Sequence, residues 1–255
     1  MDKTSPIGVF DSGLGGISVL AEIHKQLPHE DLLYIGDSIH NPYGTKSEEE
    51  LLSLCLAICD ELMEANVKMI VIACNTATSA CVNTLRKKYP IDIVGMEPAL
   101  KVAADQDPKQ SIAVWATDFT LKEKKFADLM DRFKDSHTIY KVPSPQLVRL
   151  VEEDRLSDEE AVDQALEDSL ARSHQADSIV LGCTHFVFYK EHLKKKLPDT
   201  ISILDGNEGT AHHVRYLLEE KGLLNCEGGS IEWRNTMPEK IEQSKQLYQR
   251  MEESQ

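Results

Sequence analysis

The sequence predicts an α/β protein made of two similar doubly wound parallel-sheet domains, and three observations predict it. Short apolar runs of strand length alternate with stretches of helical periodicity along most of the chain. The runs "VKMIVIAC" (residues 67–74) and "ADSIVLGC" (residues 176–183) are almost continuous in apolar side chains. Strands covered by helices on both faces read in that way. Both runs also close on a cysteine followed by small polar residues, so the plan of the first half recurs in the second.

Taken in order, "IGVF" begins a strand that runs into the glycine turn "DSGLGG". The next segment, "ISVLAEIHKQL", carries Ile17, Leu20, Ile23 and Leu27 at helical spacing. "DLLYIGDS" is a second strand ending in small and acidic residues, and "IHNPYGTKS" is a loop punctuated by Pro42 and Gly44. Ser47 stands three residues before Glu50, the signature of a capping box, and opens an amphipathic helix through "ELLSLCLAICDELMEAN". "VKMIVIAC" is the third strand; a helix from about Thr76 to Lys88 leads to a fourth strand in "IDIVGMEP".

After "EPALKVAADQDPKQ" the alternation restarts. "SIAVWAT" reads as a strand, "TLKEKKFADLMDRF" as one helix and "HTIYKVP" as a strand. Residues 145–174 supply helices with a break near Leu156 and Ser157. "ADSIVLGC", the helix "FYKEHLKKKL", the strand "ISILDG" and the helix "EGTAHHVRYLLEEKGL" complete the second series. The last stretch, "MPEKIEQSKQLYQRMEESQ", reads as a polar helix or a frayed tail.

Composition excludes several functions. The 255 residues are 41% hydrophobic, enough for ordinary cores, yet no apolar run reaches the roughly 20 residues of a membrane span. The first residues, "MDKTSPIGVF", lack the basic and apolar regions of a secretory leader, so a soluble cytoplasmic protein is expected. Lys and Arg number 28 against 43 Asp and Glu, a formal net charge of −15. That charge repels nucleic-acid phosphate, and "LKKKLP" (residues 193–198) is too short to offset it. The six cysteines (55, 59, 74, 81, 183 and 226) form no CxxC pair and no zinc spacing, so reduced thiols and no metal are expected.

In open parallel sheets, ligands bind at the carboxyl ends of the strands. Those positions here hold Asp11-Ser12-Gly13, Gly36-Asp37-Ser38, Pro42-Tyr43-Gly44, Cys74-Asn75-Thr76 and Cys183-Thr184-His185. Small hydroxyl and amide side chains beside helix N-termini suit a small polar ligand bearing carboxylates. "DSGLGG" is no dinucleotide loop, because the third glycine of GxGxxG would fall on Ser18; no Gly-Lys-Ser/Thr ending makes a P-loop either. A cysteine closing a buried strand is ordinarily a small core residue. Cys55 and Cys59, one helical turn apart, and Cys81 are read as core on that ground. Asp11 reads equally as a turn residue or a catalytic partner, His185 as a loop residue or a tuner of the thiol beside it, and Glu152 as solvated helix surface.

Cys74 and Cys183 stand out because they are paired in context. One cysteine with a histidine suggests acyl transfer through a thioester. Two cysteines on opposite faces of a carbon suggest inversion, one thiolate removing a proton while the other thiol delivers one.

"GVFDSGLGG", "GDSIHNPYG", "ACNTAT" and "LGCTHF", in this order, resemble the motifs of the glutamate racemases, members of the cofactor-independent aspartate/glutamate racemase family. The resemblance spans about residues 7 to 187. It implies no cofactor, glutamate as substrate, D-glutamate supply for peptidoglycan, and possible homodimers. It also implies an active site in the cleft between two domains, residues 1–97 with 209–255 and residues 98–208, the C-terminal segment packing back on the first. By position, Cys183 is the base toward L-glutamate and Cys74 the base toward D-glutamate. Asp11 on the Cys74 side and His185 on the Cys183 side match polar partners of the thiols, and Glu152 matches an acidic residue near the second cysteine. Ser12, Tyr43, Gly44, Asn75, Thr76 and Thr184 match substrate-binding positions, as Asp11 and His185 also do.

The chain departs from the common pattern at His40, where Arg is usual, and at Val187, where Pro is usual. "VGMEP" is one residue shorter than the frequent form, and "VWATDFTLKEKKF" replaces the common "VLGT" stretch. The strand starting near residue 7 leaves no room for the extension of members activated by a cell-wall precursor, so no such activation is expected. Rival readings are an aspartate racemase or another two-cysteine isomerase, a hydrolase using Cys183 and His185, and a binding protein, since some racemases of the family inhibit gyrase. The hydrolase reading leaves Cys74 without a task.

Overall fold

The structure, a computed structural model, describes residues 1–96, 99–106 and 109–253, apart from the side chain of Lys125. The domain junction expected at Glu97 and Pro98 lies outside the described residues, as does the end of the "MEP" stretch. By its own contacts the chain divides into two units: residues up to Met96 with those from Asn207 onward, and the residues between.

The first unit opens with β1 (Ile7–Asp11), α1 (Ile17–Gln26), β2 (Leu32–Gly36), α2 (Glu48–Glu64), β3 (Met69–Ile72), α3 (Asn75–Lys88) and β4 (Asp92–Gly95). The second holds α4 (Leu100–Gln106), β5 (Ser111–Ala116), α5 (Asp118–Lys122), α6 (Lys124–Asp131), β6 (Thr138–Pro143), α7 (Pro145–Glu152), α8 (Glu159–Ala171), β7 (Ser178–Leu181), α9 (Lys190–Lys196) and β8 (Ser202–Asp205). The chain then returns to the first unit as α10 (Asn207–Glu220), β9 (Ile231–Asn235) and α11 (Lys240–Glu253).

In the first unit the strand order is β4-β3-β1-β2-β9 and every pairing is parallel. β1, β2 and β3 are buried at every position, which is why they read as unbroken apolar runs. Helix α2 begins with the expected capping box: Ser47 Oγ accepts the Glu50 N–H at 3.3 Å, and the Glu50 carboxylate accepts the Ser47 N–H at 2.8 Å. Helix α1 packs against α10 and α11, so the returning segment covers one face of the sheet's first crossover. The polar C-terminal stretch is thus a helix, holding its edge through buried Gln243, Ser244 and Leu247.

In the second unit the order is β6-β5-β7-β8, again all parallel. Ile112, Val114, Ala116 and Val180 from the two inner strands pack with Leu100, Leu121, Phe126 and Met130 from one helical layer. Three elements differ from the sequence expectation. The single helix expected from Thr120 is two, because Glu123 takes an extended conformation between α5 and α6. Residues 100–106, within the connection between the two series, form α4. Residues 231–235, beyond the elements expected, form β9. Among the described residues no helix is long and apolar enough to cross a membrane.

Candidate active site

The parallel register brings Asp11, Gly36 and the residues after Ile72 to one edge of the first sheet. Asp11 is fully buried at the end of β1, and its Oδ2 accepts the N–H of Gly13 at 3.1 Å. The turn that follows is held from below, where the Tyr34 hydroxyl donates to the Gly13 carbonyl at 2.7 Å. Gly16 is glycine for want of room: a Cβ there would lie 2.5 Å from Asp11 Cβ and 3.0 Å from Ala73 Cβ. Helix α1 therefore starts directly against the residue before Cys74 and against Asp11 itself.

After β2 the chain makes a turn over Ser38–His40 and a second over Tyr43–Thr45, both 3-10. Asp37, only 1% exposed, joins them: its Oδ2 accepts the Tyr43 hydroxyl at 2.6 Å, and its Oδ1 lies 2.7 Å from His40 Nδ1. Burial first, and then the Asp37 charge, raise the Tyr43 pKa far above that of an ordinary tyrosine, so the phenol stays a donor. Gly44 follows inside the second turn, whose first N–H groups have no partner within it. Asn41 Nδ2 donates to the Ser12 carbonyl at 3.2 Å and ties this loop to the β1 turn.

Cys74 is the N-cap of α3, its sulfur accepting the Ala77 N–H at 3.4 Å. A fourteen-residue helix presents its positive end at that point, where negative charge is favoured. Asn75 and Thr76 are buried in the first turn, and Asn75 Oδ1 has no hydrogen-bond partner among the described residues. A buried acceptor of this kind is ordinarily matched by a donor. Cys55, Cys59 and Cys81 are core, as their helical spacing implies; burial, ahead of the nearby Asp60 charge, pushes the Cys59 thiol up to about 12.

In the second unit Cys183 follows β7 and precedes a 3-10 helix over Thr184–Tyr189, in which Thr184 and Val187 are buried. This differs from Cys74, which caps an α-helix directly. His185 lies between two partners: its Nδ1 is 3.7 Å from Cys183 Sγ and its Nε2 is 2.7 Å from Glu152 Oε1. Glu152 is the last residue of α7, so the geometry sets it against the buried histidine, not on the solvated helix face its neighbours suggest. Burial of the imidazole works to lower its pKa. The hydrogen bonds to Cys183 and Glu152, with their charges, outweigh it and raise the pKa well above the ordinary 6.5.

The first unit thus gathers Asp11, Ser12, Tyr43, Gly44, Cys74, Asn75 and Thr76 at one sheet edge, and the second gathers Glu152, Cys183, Thr184 and His185. Asp37 and Tyr34 received no role from the sequence. Asp37 stands in a strand-end position, which was signal enough to single it out; Tyr34 lies inside β2 and carries no local signal. Among the described residues no three His, Cys, Asp or Glu side chains group closely enough to hold a metal ion.

Comparison with known proteins adds to this geometry. The family model for Asp/Glu/hydantoin racemases matches residues 7–214. The glutamate racemase of Bifidobacterium animalis subsp. lactis is 50% identical over 258 residues, covering 98% of this chain and all of the relative. A glutamate racemase isoform of Bacillus anthracis superposes with a TM-score of 0.84 at 30% identity, over 97% of this chain and 94% of that one. The Escherichia coli glutamate racemase, solved with L-glutamate and the activator UDP-MurNAc-Ala, gives a TM-score of 0.82 at 31% identity over 97% and 95%.

Proposed function

The chain belongs to the Asp/Glu/hydantoin racemase family, and on that premise we propose that it interconverts L- and D-glutamate without a cofactor. Cys183 takes the α-proton of the L isomer while the Cys74 thiol delivers a proton to the opposite face; the roles exchange for the D isomer. The observation that carries this reading is the pair of buried strand-end cysteines, one at the positive end of α3 and one beside a histidine held by a carboxylate.

His185 and Glu152 serve the Cys183 sulfur, and Asp11 serves the Cys74 side; the crowding of Asp11 and Ala73 about Gly16 supports that placement. Backbone N–H groups of Tyr43 and Gly44 receive a substrate carboxylate, in a turn anchored by the Tyr43–Asp37 hydrogen bond. The unmatched Oδ1 of Asn75 accepts from the substrate ammonium, with Ser12, Thr76 and Thr184 completing the polar lining. The D-glutamate formed supplies peptidoglycan synthesis.

The test is to incubate reduced, metal-free protein with L-glutamate in D₂O with nothing added, and L-aspartate in parallel. Loss of the glutamate α-proton signal by NMR, with optical rotation drifting to zero, is the expected result. Exchange of aspartate alone would reassign the substrate. Exchange of neither would remove the racemase reading.

A further inference from the structure

We propose that Asn235 and Thr236, at the carboxyl end of β9, are positioning residues for substrate binding, acting through the loop that carries Asp37. The inference rests on the reading of Tyr43 and Gly44 as substrate-binding residues. Register sets Asn235 beside Gly36, at the point where β2 gives way to the loop. The approach is close: a Cβ on Gly36 would lie 2.6 Å from Asn235 Nδ2 and 2.7 Å from the Gly13 carbonyl oxygen.

Four hydrogen bonds define the clamp. Thr236 N–H donates to the Gly36 carbonyl at 2.9 Å, and Thr236 Oγ1 accepts the Ile39 N–H at 3.0 Å. Asn235 Nδ2 donates to Ser38 Oγ at 3.0 Å, while its Oδ1 accepts the Met237 N–H at 2.8 Å. The last bond fixes which way the amide faces, so the donor is turned toward the loop. Both flanks of Asp37 are thereby tied to β9, and Asp37 in turn holds the Tyr43 hydroxyl.

On its other side the loop is held to the β1 turn by Asn41. Burial anchors Tyr43, which is 1% exposed, but not the stretch before it, where Ile39 is 61% exposed. The stretch that carries Asp37 is therefore set by polar ties from a strand distant in sequence, and Asp37 orients the Tyr43 hydroxyl. Neither Asn235 nor Thr236 is placed against the reacting carbon. Their loss should weaken substrate binding and leave the proton transfers alone.

Steady-state kinetics in both directions test this on the full chain. Thr236→Val keeps the side-chain shape and deletes the acceptor; KM should rise about fivefold, with kcat within about twofold of wild type. Asn235→Ala should act in the same direction, and Thr236→Ser, which keeps the hydroxyl, should restore KM. Leu247→Ala, on the buried face of α11, should lower Tm while leaving KM unchanged. The clamp is overturned if wild type racemises and Thr236→Val and Asn235→Ala keep its KM, or if Leu247→Ala raises KM as much as they do. A wild-type chain that fails to racemise glutamate overturns the functional reading itself, and the clamp with it.

Discussion

His185 is a buried imidazole with a sulfur on one nitrogen and a carboxylate on the other. Its pKa is raised on folding, so the stability it contributes is complete below the unfolded value of about 6.5 and is lost as pH rises through the folded value. Glu152→Gln removes one of the two charges that raise it. The alkaline fall in stability should then begin at lower pH, read by urea unfolding across pH and by the ring C–H shifts of His185; coincident profiles would show that Glu152 does not hold the proton there. The cysteines permit a blunter test. Cys74→Ser and Cys183→Ser should each slow racemisation by about 100-fold or more, since a serine hydroxyl is a far weaker acid than a thiol. A variant of either kind at full rate would show that its sulfur carries no proton. Cys74, Cys183 and His185 stood out in the sequence because strand ends are legible, and a small polar cluster after an apolar run marks a ligand edge; Glu152, at the end of a helix, read as solvated surface and was singled out by resemblance alone. Asp37 stood in the same kind of place yet received no role, since only its contacts with Tyr43 and His40 set it apart. Tyr34 and Asn235 were out of reach, for their partners, Gly13 and Ser38, lie in turns that follow other strands.

At the scale of elements, the buried strands and capped helices were readable because each carries its own signal. Ser47 and Glu50 announced the start of α2, and Asp158 caps α8 by accepting the Ala161 N–H at 3.2 Å. Strand β9 carried a faint one: Ile231 and Trp233 alternate with Glu232 and Arg234 at the period of a half-exposed edge strand, but over only five residues and with a single neighbour. The break between α5 and α6 was silent, since no glycine or proline marks Glu123. Close approach is the hidden variable in the β1–α1 turn. Gly16→Ala would place a methyl group 2.5 Å from Asp11 Cβ, too near to be absorbed without moving the turn. The variant should lose about 1–3 kcal/mol of stability in denaturant unfolding and a larger share of its activity than of its fold. Wild-type kinetics in Gly16→Ala would mean that the turn can shift without displacing Asp11.

At the scale of the whole molecule, the first unit is assembled from two distant pieces of chain, and its cohesion depends on what joins them. One joint is buried and ionic. Lys68 Nζ lies 2.5 Å from Glu30 Oε2, with the two side chains 0% and 1% exposed. The same ammonium donates to the Leu223 carbonyl at 2.9 Å and to the Lys3 carbonyl at 2.6 Å, and Glu30 Oε1 accepts the Asn225 N–H at 2.8 Å. The pair thus binds the N-terminal segment, the start of β3 and the returning loop at one point. That point lies at the amino ends of the strands, away from the edge that carries Asp11 and Cys74. Stability and activity should therefore separate. Lys68→Met leaves a buried carboxylate without its cation and should cost about 3–5 kcal/mol, measured as a lower urea midpoint. Lys68→Met combined with Glu30→Met removes both charges and should recover much of that loss, because apolar replacements of a buried pair are often close to neutral. In both variants, the kcat of the fraction that remains folded should stay near wild type. A double variant no more stable than the single one would show that the carbonyl and N–H contacts of the pair, and not its charges, hold the two pieces of chain together.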